Sequence, residues 1–266
     1  MNPWVPHLIA SCLLFAGARM VSTPAERTLT ELGRPLAGPL VLPFLWKSLA
    51  DSYDRSPEEA VARGRILLEL LPSWVDGHIY LAQSLAFAGD GEPGRDLDRI
   101  LAALALLDEA RQRWPAGALD FLLTEAFVAE FRVAASAELA AEFRTHTGRD
   151  ALDTARGYLE LAEQLSPAPS IRLRQAFLTE KMAGLALRRG DLVRARAATE
   201  AALQQFDRVI AALHRRGNAP SADNAEAHRR ALARLGDYLQ GDASISVDTL
   251  LADPYLEGIA DGLSRR

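Results

Sequence analysis

Three times in this chain an alanine is followed by a small residue or leucine at four and at seven positions, and by a proline at the twelfth. The phrase reads Ala60, Gly64, Leu67, Pro72, then Ala103, Leu107, Ala110, Pro115, then Ala155, Leu159, Ala162, Pro167. Steps of four and seven put the three residues on one face of a helix. The proline lacks the N–H that a following turn needs, so the helix stops before it. Small residues on that face let a second helix approach closely. A helix that recurs in this way predicts stacked antiparallel helix pairs, an all-α solenoid in which each pair buries its apolar face on the next.

The remaining pattern agrees with that class. Thr23-Pro24-Ala25-Glu26 and Ser56-Pro57-Glu58-Glu59 each place a capping hydroxyl, a first-turn proline and a glutamate in the order of a helix start. Ser73-Trp74-Val75-Asp76 caps a helix that runs to the Gly89-Asp90-Gly91 break. Further helices are predicted over 97–114, over 118 to about 143, and from Asp150 to the Ser166-Pro167 turn. Two more cover 171–189 and 191–215, parted by Gly190, and Ser221 caps one that runs to about Leu239. The stretch after Gly241 reads as loop, with a short helix near Val247 and another after Pro254. Four segments result: 1–22, an apolar leader; 23–43, a short helix and a proline-rich linker; 44–240, the helical domain; and 241–266, a tail.

Within that domain, Leu81, Ala82, Leu85, Gly89 and Asp90 resemble the first helix and turn of a tetratricopeptide repeat. His78 stands where that family has tryptophan, and Leu85 where it has tyrosine. Met182, Ala183, Ala186, Gly190 and Asp191 repeat the spacing, followed by Ala195 and Ala202 on the next helix. The Ala60, Ala103 and Ala155 phrases resemble second helices of the same repeat, with insertions at 91–98 and 132–149 interrupting its period of about 34 residues. More loosely, Leu32-Gly33, the Trp46 helix and Leu71-Pro72-Ser73-Trp74 leading into Leu81-Ala82 are similar to uncharacterised bacterial proteins with an N-terminal membrane segment ahead of divergent tetratricopeptide-like helices. The resemblance implies repeat-packing roles for Ala60, Leu67, Leu81, Ala82, Ala103, Leu107, Ala110, Ala155, Leu159, Ala162, Ala183, Ala195 and Ala202. The likeness to the bacterial proteins implies no known activity; a solenoid of helix pairs usually holds partners, so a groove that binds a protein or peptide is expected.

From Val5 to Ala18 the chain is apolar except for His7 and Ser11. Residues 4–21 approach the length of about 20 that a membrane span takes. The expectation is a retained anchor in a bacterial inner membrane, with Arg19, Arg27 and Arg34 keeping the body in the cytoplasm. Cleavage after Ala16-Gly17-Ala18 would instead export it. Acylation at Cys12 in Ile9-Ala10-Ser11-Cys12, or a leader helix packed on the protein's own core in a soluble cytoplasmic scaffold, are the other outcomes.

Of 266 residues 49% are hydrophobic and the net charge is −5, which suits a buried core and gives no general attraction to nucleic acid. Cys12 is the single cysteine, so no internal disulfide or thiolate zinc cage forms. No two histidines share metal-ligand spacing, and no phosphate loop or nucleophile elbow is present. These absences predict no catalytic, metal or cofactor residues. A helical enzyme or small-ligand module assembled from distant residues is the alternative.

The pairs Glu58-Glu59 and Asp96 with Asp98 fall at helix starts, where carboxylates meet the positive end of the dipole. Between Ile171 and Arg234 thirteen basic residues face six acidic ones. Arg188, Arg189, Arg194, Arg196, Arg215 and Arg216 there form a candidate surface for an acidic protein segment or membrane headgroups. No aromatic residues interleave with them, which argues against nucleic acid. Phe44, Trp46, Tyr53, Trp74, Tyr80 and Phe87 are expected mostly as core between helices, with one or two left as anchors for a peptide.

Overall fold

A computed structural model describes residues 47–49, 57–70, 74–88 and 93–264. The described residues are all-α, with no strand among them. The chain divides into two compact units, 1–77 and 78–266. The leader, the linker, and Phe44, Trp46 and Tyr53 lie outside the described residues.

In the first unit helix α1 covers Pro57–Leu70. Its Gly64, Leu67 and Leu68 are buried, while Ile66 faces solvent. The side chain of Ala60 lies outside the described residues. Arg63 donates to the Ser48 carbonyl at 2.7 Å and its hydroxyl at 2.5 Å, pinning the residues before α1 to its face. Helix α2, Val75–Phe87, begins at the end of this unit. Trp74 folds over Gly77 there: a Cβ on Gly77 would lie 2.2 Å from the indole ring, so the turn needs glycine.

The second unit continues through α3 (Pro93–Arg113), a 3-10 turn (Pro115–Gly117), α4 (Ala118–Val128) and a π turn (Ala129–Val133). Then come α5 (Ala137–Thr147), α6 (Ala151–Leu165), α7 (Pro169–Arg188), α8 (Leu192–Arg215) and α9 (Ala219–Gln240). Helix α10 (Val247–Leu251), a 3-10 turn (Pro254–Leu256) and α11 (Glu257–Leu263) close the described chain. Caps set most boundaries. The side chains of Ser136, Asp150, Asp191, Asn218 and Ser246 accept from N–H groups of the turns that follow them, satisfying donors that a helix start leaves orphaned. Gly190, at φ +73°, ends α7 in the left-handed conformation, and the Asp191 N–H then donates to the Ala186 carbonyl at 2.9 Å.

Packing joins successive helices from α6 to α9, while α4 meets α6 across α5 and α11 returns to α7. Helix α6 lies on α4 and α7, α7 on α8, and α8 on α9. One cluster joins Ala126, Ala129, Ala155, Leu159 and Leu178 across α4, α6 and α7. A larger one joins Ala195, Ala202, Phe206, Leu232 and Leu235 with Leu250, Leu256, Ile259 and Leu263. The segment after Gly241 thus has its two expected helices, and it supplies core. Helix α11 crosses α7 closely: a Cβ on Gly262 would lie 2.8 Å from that of Leu187.

Three boundaries differ from the sequence expectation. The long helix expected over 118–143 is two helices, because the π turn and Ala134-Ala135 break it and Ser136 caps the second half. Helix α3 begins at Pro93, four residues before Leu97, since first-turn proline suits a helix start. Asn218, one residue ahead of α9, accepts from the Ser221 N–H at 3.3 Å, so Ser221 lies inside the helix and does not cap it.

Candidate docking surface

Glu125 and Glu130 interrupt an otherwise apolar run on α4 and the π turn, flanked by Phe121, Phe127 and Phe131. The π turn closes with the Ala134 N–H on the Ala129 carbonyl at 3.1 Å, five residues back. The wider turn still leaves Phe127 and Phe131 side by side, with ring centroids 4.9 Å apart at 35°. Phe87, the last residue of α2, extends the row to Phe127 at 5.6 Å and 39°. Phe87 and Phe131 are 43% and 44% exposed. Two exposed rings on either side of the half-buried Phe127 form an apolar ladder of the kind that anchors partners. Tyr80, seven residues before Phe87 on α2, is also exposed.

A polar network lies behind the rings and fixes them. The Arg132 Nε donates to the Ala86 carbonyl at 3.0 Å, and an Arg99 N–H to the Ala88 carbonyl at 2.8 Å. These carbonyls lie at and just past the end of α2, where a helix leaves C=O groups for other donors, and the two arginines tie Phe87's neighbours to α3 and the π turn. Arg132 is also ion-paired with Asp96, which is buried. Asp96 is therefore part of this network and more than a dipole-favouring residue at a helix start. On the other side, Glu130 meets Lys181 at 2.5 Å and Arg174 at 3.6 Å. The same Lys181 ammonium sits 4.1 Å from the Phe131 ring centre, and the Arg174 guanidinium 6.0 Å from that of Phe127. Both distances fall in the range where a cation is drawn to a ring face. The Glu130 side chain is 4% exposed and that of Lys181 44%, so the acid is below and the cation above.

Deeper in the helices, Glu125 is fully buried, and neither of its oxygens has a hydrogen-bond partner. Arg111 Nε stands 3.6 Å away. Burial pushes the Glu125 carboxyl up to about 7; Arg111 opposes the shift, and Asp108 adds to it. Burial, with Glu125 and Asp108 nearby, raises the Tyr158 hydroxyl to about 12. The Glu125 carboxyl is thus enclosed by its helices.

A third feature is a cleft of about 400 Å³ between α9 and the C-terminal segment, lined by Arg230, Arg234, Thr249, Asp253 and Tyr255 among others. Tyr255 meets the edge of His228 at 5.0 Å, and His228 Nδ1 lies 3.2 Å from a Glu180 oxygen. Arg234 is ion-paired with Asp253, which also accepts from the Tyr255 N–H. Among the described residues, no three His, Cys, Asp or Glu side chains stand together in a way that could hold a metal ion.

The structure places Leu67, Leu81, Ala82, Ala103, Leu107, Ala110, Ala155, Leu159, Ala162, Ala183, Ala195 and Ala202 in buried positions. The six arginines do not form one patch. Arg188, Arg189, Arg194 and Arg196 gather at the α7–α8 turn, where Arg189 pairs with Asp150 and Arg194 with Asp153. Arg215 and Arg216 lie at the far end of α8, whose 24 residues span about 36 Å. Of the early aromatics, Tyr80 and Phe87 are exposed and Trp74 is half-buried. The sequence reading passed over Phe127, Phe131, Glu130, Arg174 and Lys181. The signal that could have found them is the pair of glutamates inside an apolar run. No helix among the described residues is long and apolar enough to cross a membrane. No family model, curated protein or solved structure matches the chain.

Proposed function

We propose that the chain is a non-catalytic scaffold that holds a protein or peptide partner on its helical surface, tethered to a bacterial inner membrane by residues 4–21. The observation that carries this reading is the exposed Phe87–Phe127–Phe131 ladder. Rings fixed from behind by arginines lose little conformational freedom on binding, which suits an anchor. The stacked-pair, tetratricopeptide-like architecture is supported by the successive packing of α6 on α7, α7 on α8 and α8 on α9 and by alanines 155, 162, 195 and 202 in the core. The membrane tether rests on the composition of Val5–Ala18 alone.

The experiment is affinity capture of the tagged full-length protein from detergent-solubilised membranes, with mass spectrometry of its companions, beside a Phe87→Ser, Phe131→Ser double variant. Companions of the parent that vanish from the variant support the reading. An identical set in both would sink it.

One observation favours a second reading, a small-ligand module: the cleft lined by Arg230, Arg234, Asp253 and Tyr255, whose ring also meets His228. Its volume falls within the range of ligand pockets. Calorimetric titration of parent and Tyr255→Ala with a panel of small carboxylates and phosphate esters tests it. Heats that depend on Tyr255 would favour this reading over the scaffold.

A further inference from the structure

Charges flank the ladder. Among the described residues ion-paired there, Asp96 and Glu130 are the carboxylates, and both are buried. Four cations answer them: Arg99 at 3.8 Å and Arg132 at Asp96, and Arg174 and Lys181 at Glu130. Arg99 and Arg132 also give N–H groups to the carbonyls that end α2, so they are committed to the fold. Arg174 has a further tie to the Leu123 carbonyl at 3.3 Å. Lys181 has no such tie. It is the most exposed of the four, it lies over an end ring of the ladder, and Arg174 would remain 3.6 Å from Glu130, without a hydrogen bond, if Lys181 turned away. A buried carboxylate left with no cation would be strongly destabilising; Glu130 would still face the Arg174 guanidinium at 3.6 Å, so its charge would not stand alone. The ladder thus presents apolar rings beside a cation that the fold can release.

Resting on the scaffold reading above, we propose that the ladder receives an acidic segment of a partner protein carrying a leucine or aromatic anchor. The anchor lies on the faces of Phe87, Phe127 and Phe131, and Lys181 swings from Glu130 to a carboxylate of the segment. The exposed Lys181 ammonium at Phe131 complements such a segment and repels a basic one, which sets specificity and association rate. Lys181 is the specificity-determining residue, and Glu130 competes with the partner for it.

Selection of random short peptides displayed on phage against the full-length protein tests this, followed by titration of an enriched peptide by fluorescence anisotropy. Enriched sequences are expected to be acidic with one large apolar residue, and Phe131→Ser is expected to abolish their binding. Lys181→Met, at an exposed position, is expected to weaken binding roughly tenfold and to flatten its salt dependence. Glu130→Gln, which removes the competitor, is expected to tighten it. Far-UV circular dichroism of each variant establishes that it folds, and Lys181→Met alone is decisive if Glu130→Gln does not. Enriched peptides that are neutral or basic, or an affinity untouched by Lys181→Met, would overturn the inference. So would no enrichment at all. Were ladder-dependent capture of companions to persist in either case, the scaffold reading would survive it; loss of both would end both.

Discussion

Ionising Glu125 places a charge where neither carboxylate oxygen has a hydrogen bond and the one close cation, Arg111, is 3.6 Å away. Its folded value of about 7 lies above the ordinary 4.5, so the native state holds a proton that the unfolded chain has already released between those values. Stability that is intact below pH 4.5 therefore falls as pH rises through 7, by on the order of 3 kcal/mol for a shift of this size. Glu125→Gln keeps the shape and removes the charge. Denaturant titrations at pH 5 and pH 8 should show the variant gaining on the parent as pH rises. An equal difference at both pH values would mean that Glu125 is not the titrating group. Sequence alone shows a glutamate in an apolar run, but not that its carboxyl is enclosed, because enclosure is decided by α3 and α6, which come from elsewhere in the chain.

Helix starts and stops were largely legible because their causes are local. Asp150 and Asp191 cap, Gly190 takes a positive φ, and prolines sit where an N–H is dispensable. The π turn was not legible. Phe127 and Phe131 keep an unbroken spacing of four through it, and Ala134-Ala135 favour helix, so nothing local announces the break. The alanine phrase was readable as packing because small residues matter only where helices touch. Ala155 is buried at the contact of α4, α6 and α7. Ala155→Glu and Ala103→Glu should each cost more than about 3 kcal/mol by overpacking and by burying an unpaired charge. Melting within a few degrees of the parent in both variants would show those helices to be paired wrongly. Gly262→Ala probes the α7–α11 crossing more gently: the added Cβ meets Leu187 and the Arg188 backbone, so a cost of about 1–3 kcal/mol is expected.

At the scale of the whole molecule, the segment after Gly241 reads in sequence as loop with two short helices, yet four of its side chains are core. Leu250, Leu256, Ile259 and Leu263 are each no more than 1% exposed and join the cluster built by α7, α8 and α9. Short helices of this kind are barely stable alone, so their order comes from that burial, a tertiary cause that periodicity does not display. Each such side chain contributes about 1.5–3 kcal/mol, and the four together approach the net stability of about 5–15 kcal/mol of an ordinary domain. Removing residues 242–266 should therefore abolish cooperative unfolding of α7–α9 and expose the apolar faces of Leu232 and Leu235. Thermal melts followed by circular dichroism, with dye binding to exposed apolar surface, measure both effects. A truncated protein that melts as one sharp transition near the parental temperature would show that the segment merely decorates a core complete without it.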